Sequence, residues 1–135
     1  MDWTDLAILA ADPNVTIGAA TVDYHRLSTL KDADALRGMT MGRAVAETAL
    51  RRDVKHFAYP FGDRDSFRRV HVVMAQEAGF TSAVSTIAGI VDSAGRTNLR
   101  VLPRIAWDGR RSLRAMRVLL SGITFAPVKP TRASV

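Results

Sequence analysis

The sequence predicts an α/β fold in which three or four mostly parallel strands are covered by helices. Two observations carry this. Short β-branched or aromatic stretches alternate with helix-patterned ones, the order that parallel strands joined by crossover helices require. The chain is 47% apolar with no cysteine among its 135 residues. Its core must therefore come from packing, not from disulfides or thiolate metal sites. The same strand-helix rhythm is what the second half of a β/α barrel shows.

Each element follows in order. Trp3 to Ala11 has helical composition, with Asp2 or Thr4 as cap and Pro13 beyond its end. Val15 to Thr21 reads as a buried strand ending in small residues. Asp32 to Arg52 reads as a long helix, its apolar face drawn from Ala33, Leu36, Met39 or Thr40, Ala44, Ala49 and Leu50. Gly38 and Gly42 each weaken that helix by up to about 1 kcal/mol relative to Ala. Val54 to Tyr59 is the next strand, ended by Pro60, which has no amide hydrogen to pair. Asp65 or Ser66 can cap a helix over Phe67 to Ala78. Phe67, Val70, Val73, Met74 and Ala78 make its apolar face, and Gly79 is the left-handed terminator. Phe80 to Ser85 is a third strand and Ile87 to Asn98 a loop. Leu99 to Ala106 is a fourth extended segment, broken by Pro103. Asp108 can cap a final helix to about Ser121. One domain over residues 1–125 and a flexible tail over 126–135 are expected.

The net charge of +6 comes from 19 basic residues, and it is uneven, with six Asp but only Arg26 and Lys31 in the first 35 positions. A basic surface suits anionic polymers or is simply solvated. No aromatic-rich binding motif accompanies it, so nucleic acid is not the expected partner. No stretch approaches the ~20 apolar residues of a membrane span. Neither a basic start nor a long apolar run marks a secretory leader, and the expected location is the cytoplasm.

Two segments carry a more specific signal. Residues 15–28 contain Thr16-Ile17-Gly18-Ala19-Ala20-Thr21-Val22 and then Leu27-Ser28, followed by Thr29-Leu30. Residues 56–63 read His56-Phe57-Ala58-Tyr59-Pro60-Phe61-Gly62-Asp63. Gly79-Phe80-Thr81, Ala83-Val84-Ser85-Thr86 and Leu102-Pro103-Arg104-Ile105 follow in order. Together they resemble the polysaccharide deacetylases of the NodB type, in particular the rhizobial-like chitooligosaccharide enzymes. The resemblance covers roughly residues 2–125 and implies a partial distorted β/α barrel. It also implies hydrolysis of N-acetyl groups on amino-sugar polymers by a divalent metal, often zinc, that polarises water and the acetyl carbonyl.

Carried over residue by residue, the resemblance is incomplete. The family places His, then Ser or Thr, two residues, and a second His. Here Thr21 is in place, while the two ligand positions are Ala20 and Tyr24. The Asp-Asp segment that precedes the first His has no room before Val15, and no Asp-Asp pair occurs anywhere. The Arg before the third-motif Pro is Ala58, and the Leu-x-His segment is absent because His71 is the last His. No bound metal or other cofactor is therefore expected. The chain reads as the later part of a deacetylase, inactive alone. Tyr59 and Phe61 are the remnant of the catalytic third motif, and Tyr59, Pro60, Phe61 and Asp63 are the candidate contacts to an amino-sugar oligosaccharide or polysaccharide.

The alternative is a non-catalytic module for carbohydrate or polyanions, with small residues around Ala20 and the Tyr59-Pro60-Phe61 turn forming the groove. His25 lies one step past the second ligand position, which on a strand points it to the opposite face. His56 reads as a boundary residue, His71 as a packed or partly exposed helix residue, and Asp23 and Asp63 as turn residues or caps. Arg110, Arg111, Arg114 and Arg117 form a stripe opposite Leu113, Met116, Leu119 and Leu120, a solvated face or a contact for an anionic polymer. An uncovered edge at Val15–Thr21 would favour self-association.

Overall fold

The computed structural model describes residues 2–91, 95, 97–106 and 109–125. Helix α1 spans Trp3–Ala11, α2 Asp32–Leu50, α3 Arg69–Glu77 and α4 Leu113–Leu120. Strands β1 (His56–Ala58) and β2 (Ser82–Val84) pair in parallel, with Phe57 opposite Ala83. Parallel bridges extend this pair on both sides, Ala19 to Phe57 and Val84 to Leu102. Four extended segments thus lie side by side in chain order, all parallel, with α2 and α3 as the crossovers between them. The sheet does not close into a barrel among the described residues.

The expected strand at Val15–Thr21 is reduced to that single bridge. Ala19 donates to the His56 carbonyl and accepts from the Ala58 amide, both at 2.8 Å, but its neighbours have no ladder to join. The segment from Leu99 likewise starts as a 3₁₀ turn, Leu99–Val101, with Asn98 capping it, and only Leu102 pairs with the sheet. Strands β1 and β2 are three residues each, shorter than the sequence pattern predicts, because Pro60 and the turn after Thr86 end the pairing early.

The helices shift in detail. Asp2 caps α1 reciprocally with Asp5, each carboxylate accepting the other's amide at 2.9 Å. No residue of α1 is buried. Helix α2 ends at Arg51, whose φ of 51° is left-handed. Its core stripe runs through Ala35, Met39, Ala46 and Leu50 beside Leu36, not through Ala33, Thr40, Ala44 or Ala49, which are exposed. Gly42 lies on this stripe, and a Cβ there would run into the carbonyl of Ala20. The glycine that weakens the helix is what lets the Ala19 segment pack against it.

Helix α3 starts two residues later than the sequence suggests, so Phe67 precedes it, and neither Asp65 nor Ser66 caps it. Instead the Nδ1 of His71 accepts the Arg68 amide at 2.9 Å. The buried face is His71, Met74, Ala75 and Ala78, while Val70 and Val73 face solvent. Gly79 terminates it at φ 84°, as expected. For α4 the cap is Ser112, which accepts from Ala115 at 3.2 Å. Asp108, the expected cap, lies outside the described residues, as does the expected tail over 126–135. Only Met116 of α4 is buried.

The core lies between the sheet and α2 and α3. Phe57 packs edge-on to Tyr59 at 5.2 Å and against Phe80 at 4.9 Å, while Tyr59 stacks on Phe67 at 4.1 Å. Each fully buried aromatic contributes roughly 1.5–3 kcal/mol through the apolar surface it removes from water. Arg43 locks the layers by donating to Glu47 and to the Ala78 carbonyl, both at 2.8 Å. Glu47 in turn accepts the Val54 amide at 3.0 Å, tying α2 to the approach of β1. That backbone bond, then Arg43, holds the Glu47 carboxyl below its ordinary pKa.

Candidate functional site

The segment Tyr59–Asp63 leaves β1 at the carboxyl end of the sheet, where ligand crevices of open parallel sheets form. Its direction is set by three bonds to the end of β2 and the residues just after it. Tyr59 donates its amide to the Val84 carbonyl at 3.2 Å, and the Thr86 amide bonds the Gly62 carbonyl at 2.9 Å. The Thr86 hydroxyl bonds the Phe61 carbonyl at 2.9 Å. Between them the Gly62 amide reaches back to Pro60 O at 2.7 Å, with Phe61 at φ 61°. This is the strained, positive-φ form of the γ-turn, and it throws the Phe61 ring outward.

A second loop docks against this turn. Ser28 donates its amide to Ser66 O at 3.0 Å, and its hydroxyl bonds Asp65 O. The loop carries Tyr24, also left-handed at φ 52°. The Tyr24 and Phe61 rings sit 5.4 Å apart, tilted by 47°, and both are about half exposed. Arg26 lies over the Phe61 ring, its guanidinium 4.7 Å from the centroid. The same guanidinium reaches the Asp63 carboxylate at 3.3 Å and Ser66 Oγ at 3.1 Å. Asp63 also accepts from Ser66 Oγ at 2.6 Å and the Asp65 amide at 3.0 Å. The Ser66 bond, then the Asp65 amide and Arg26, keep its carboxyl below the ordinary range. It stays ionised at neutral pH, a fixed acceptor beside two exposed rings.

Not every residue of the third-motif segment reaches this surface. Tyr59 is 3% exposed, and its hydroxyl donates to the Arg100 carbonyl at 2.9 Å. Burial raises its pKa far above the ordinary phenol value. Its amide is engaged in the sheet, so neither group is free for a substrate or a developing oxyanion. Pro60 is buried as well. The surface therefore carries Phe61 and Asp63, joined by Tyr24 and Arg26. Arg26 was not legible as a site residue, because nothing in its sequence neighbourhood marks the fold-back of residues 24–28 onto residues 61–66.

Ala20, at the first ligand position of the resemblance, has no donor atom. Tyr24, at the second, lies on Phe61. His25 lines a separate cleft of about 390 Å³ with Thr21, Asp23 and Asp34. His56 bonds Ser82 Oγ across the sheet at 2.8 Å. Among the described residues no three His, Asp or Glu side chains come together in a way that could hold a metal. The donor set around Ala20 and Tyr24 does not fit a divalent metal.

The parallel βα layers place the chain in the α/β class, with a fold shared by solved deacetylases. Three solved structures share it. The putatively assigned polysaccharide deacetylase BA0330 of Bacillus anthracis superposes with a TM-score of 0.74 at 14% identity, over 91% of this chain and 36% of that one. The deacetylase PplD of Streptococcus pyogenes, in complex with acetate, gives 0.56 at 22% identity, over 64% of this chain and 36% of that one. The de-N-acetylase of Aggregatibacter actinomycetemcomitans gives 0.54 at 14%, over 65% and 31% respectively. The chain thus spans about a third of the length of each. No family profile and no curated protein matches its sequence.

Proposed function

We propose that this chain carries the deacetylase architecture for N-acetylated amino-sugar polymers without a hydrolytic centre of its own. The observation that supports the reading is the pair Ala20 and Tyr24. One ligand position lacks a donor and the other holds a ring tilted against Phe61. The test is acetate release from chitotetraose by the purified chain, with and without added Zn²⁺. No turnover above buffer is expected, and metal-dependent turnover would refute the proposal.

A second reading, a carbohydrate-binding surface without chemistry, is favoured by the platform itself. Aromatic faces suit the C–H faces of a pyranose ring, and Asp63 and Arg26 offer an acceptor and donors to its hydroxyls. Titration calorimetry with chitotetraose should show binding that Phe61→Ala weakens about tenfold, the loss of one good aromatic contact. Equal affinity in the variant would place the sugar elsewhere.

A further inference from the structure

A separate cleft lies along α3, lined by none of Tyr24, Arg26, Phe61 or Asp63. It encloses about 600 Å³, and four of its lining residues are arginines: Arg64, Arg68, Arg69 and Arg100. Among the described residues no carboxylate lines it. Arg68 has only a loose pairing with Asp32 at 3.9 Å, both side chains exposed. Among the described residues Arg64 and Arg69 make no ion pair. The Nε of Arg100 is buried with no hydrogen-bond partner. A buried guanidinium donor without an acceptor is costly, and so are two arginines at the start of α3, whose first turn holds no acidic residue. Both oppose the positive end of the helix dipole. The charges of the exposed arginines are compensated by one event, the arrival of an anion.

The remaining walls narrow the class. Val72 and Val101 give an apolar strip, and Gln76 and Asn98 supply amides. Phe67, the aromatic residue in the lining, is buried under Tyr59, so no exposed ring is offered for base stacking. Guanidinium forks match planar carboxylates two bonds at a time, while amides and an apolar strip suit the hydroxyls and the C–H face of a sugar. We propose that this cleft binds an acidic oligosaccharide through the carboxylates of uronic-acid units. The saccharide part rests on the reading above; the anion part rests on the arginines alone.

The test is calorimetric titration of the full chain with tetragalacturonate, chitotetraose and an eight-residue oligothymidylate at low and moderate salt. Tetragalacturonate should bind, more weakly as salt rises. The double variant Arg64→Ala/Arg69→Ala should weaken it about tenfold or more, the scale of one or two charge-assisted bonds. Both side chains are exposed, and the charge reversal Arg69→Glu provides a second variant should the first fold poorly. Arg114→Ala/Arg117→Ala on α4 should leave affinity unchanged. Chitotetraose binding lost in Phe61→Ala but kept in the arginine double variant supports two separate sites. Undiminished tetragalacturonate affinity in both cleft variants, an equal loss in the α4 variant, or tighter binding of oligothymidylate overturns the assignment. Tetragalacturonate bound without any chitotetraose binding removes the platform reading alone, and neither sugar bound removes both.

Discussion

A buried imidazole at position 71 uses one nitrogen and leaves the other alone. His71 is fully buried, its Nδ1 accepts the Arg68 amide, and its Nε2 has no partner. The hydrogen bond assigns the proton to Nε2 and the ring to the neutral form. Burial first, and then Arg68, lower its pKa from the ordinary 6.5, with Asp32 opposing. Above about pH 6.5 neither the folded nor the unfolded chain holds the extra proton, so this contribution to stability is complete. As the pH falls below about 6.5, the unfolded chain takes up a proton that the folded one refuses, and stability declines until the folded pKa is passed. Urea midpoints should therefore drop between about pH 7 and about pH 5. Asp63 and Glu47 are held below the ordinary carboxyl range and titrate in a lower window. His71→Asn, which retains an acceptor for the Arg68 amide, should flatten the slope; a slope unchanged in that variant would assign it to other groups. The sequence showed that His71 lies on a helix but not which way it faces, because Phe67, Val70 and Val73 pointed to a different stripe.

At the scale of elements, two glycines on one helix have opposite meanings. At Gly42 an added Cβ would strike the carbonyl of Ala20, the residue next to the Ala19 bridge to β1. At Gly38 the nearest atom would be Thr21 Cβ at 3.6 Å, an ordinary contact. Gly42→Ala should then cost about 1–3 kcal/mol through overpacking, while Gly38→Ala should gain up to about 1 kcal/mol in helix propensity. Denaturant melts of the two variants decide this, and a shift of the same sign in both would refute it. Helical spacing and the terminator Gly79 made α2, α3 and their order legible. Strand lengths were not, because β-branched composition records burial and cannot record whether a neighbour is present to pair with. Val15 to Ile17 have the composition of a strand and no ladder. The turn at Pro60 was legible from proline chemistry, but the fold-back of Tyr24 onto Phe61 depends on Ser28 meeting Ser66, a contact no local pattern announces.

Across the whole molecule, much apolar surface remains outside the core. Trp3 and Ile8 on α1 and Leu113, Leu120 and Ile123 on and after α4 are each more than 60% exposed. Of the apolar stripe read on α4, Met116 alone is buried, because the helix meets the rest of the chain along a narrow line. Among the described residues no helix is long and apolar enough to cross a membrane. Exposed apolar patches of this kind favour self-association. Light scattering should show a mean mass that rises with protein concentration, and Leu120→Glu with Ile123→Glu should reduce that rise. Concentration-independent monomer mass would count against it.

The two left-handed aromatic residues have one more consequence. A residue with a side chain in that region of backbone space costs about 1–2 kcal/mol relative to glycine, while the Tyr24–Phe61 contact returns about 0.5–1.5 kcal/mol and Arg26 over the ring about 0.5–1 kcal/mol. The terms nearly cancel, so Phe61→Gly would leave the fold about as stable as before while deleting the ring. Phe61 is therefore a position where heat resistance and the presence of the exposed ring are uncoupled. A laboratory selection for thermal stability alone would offer the platform no protection, and glycine would enter there before it entered the sheet.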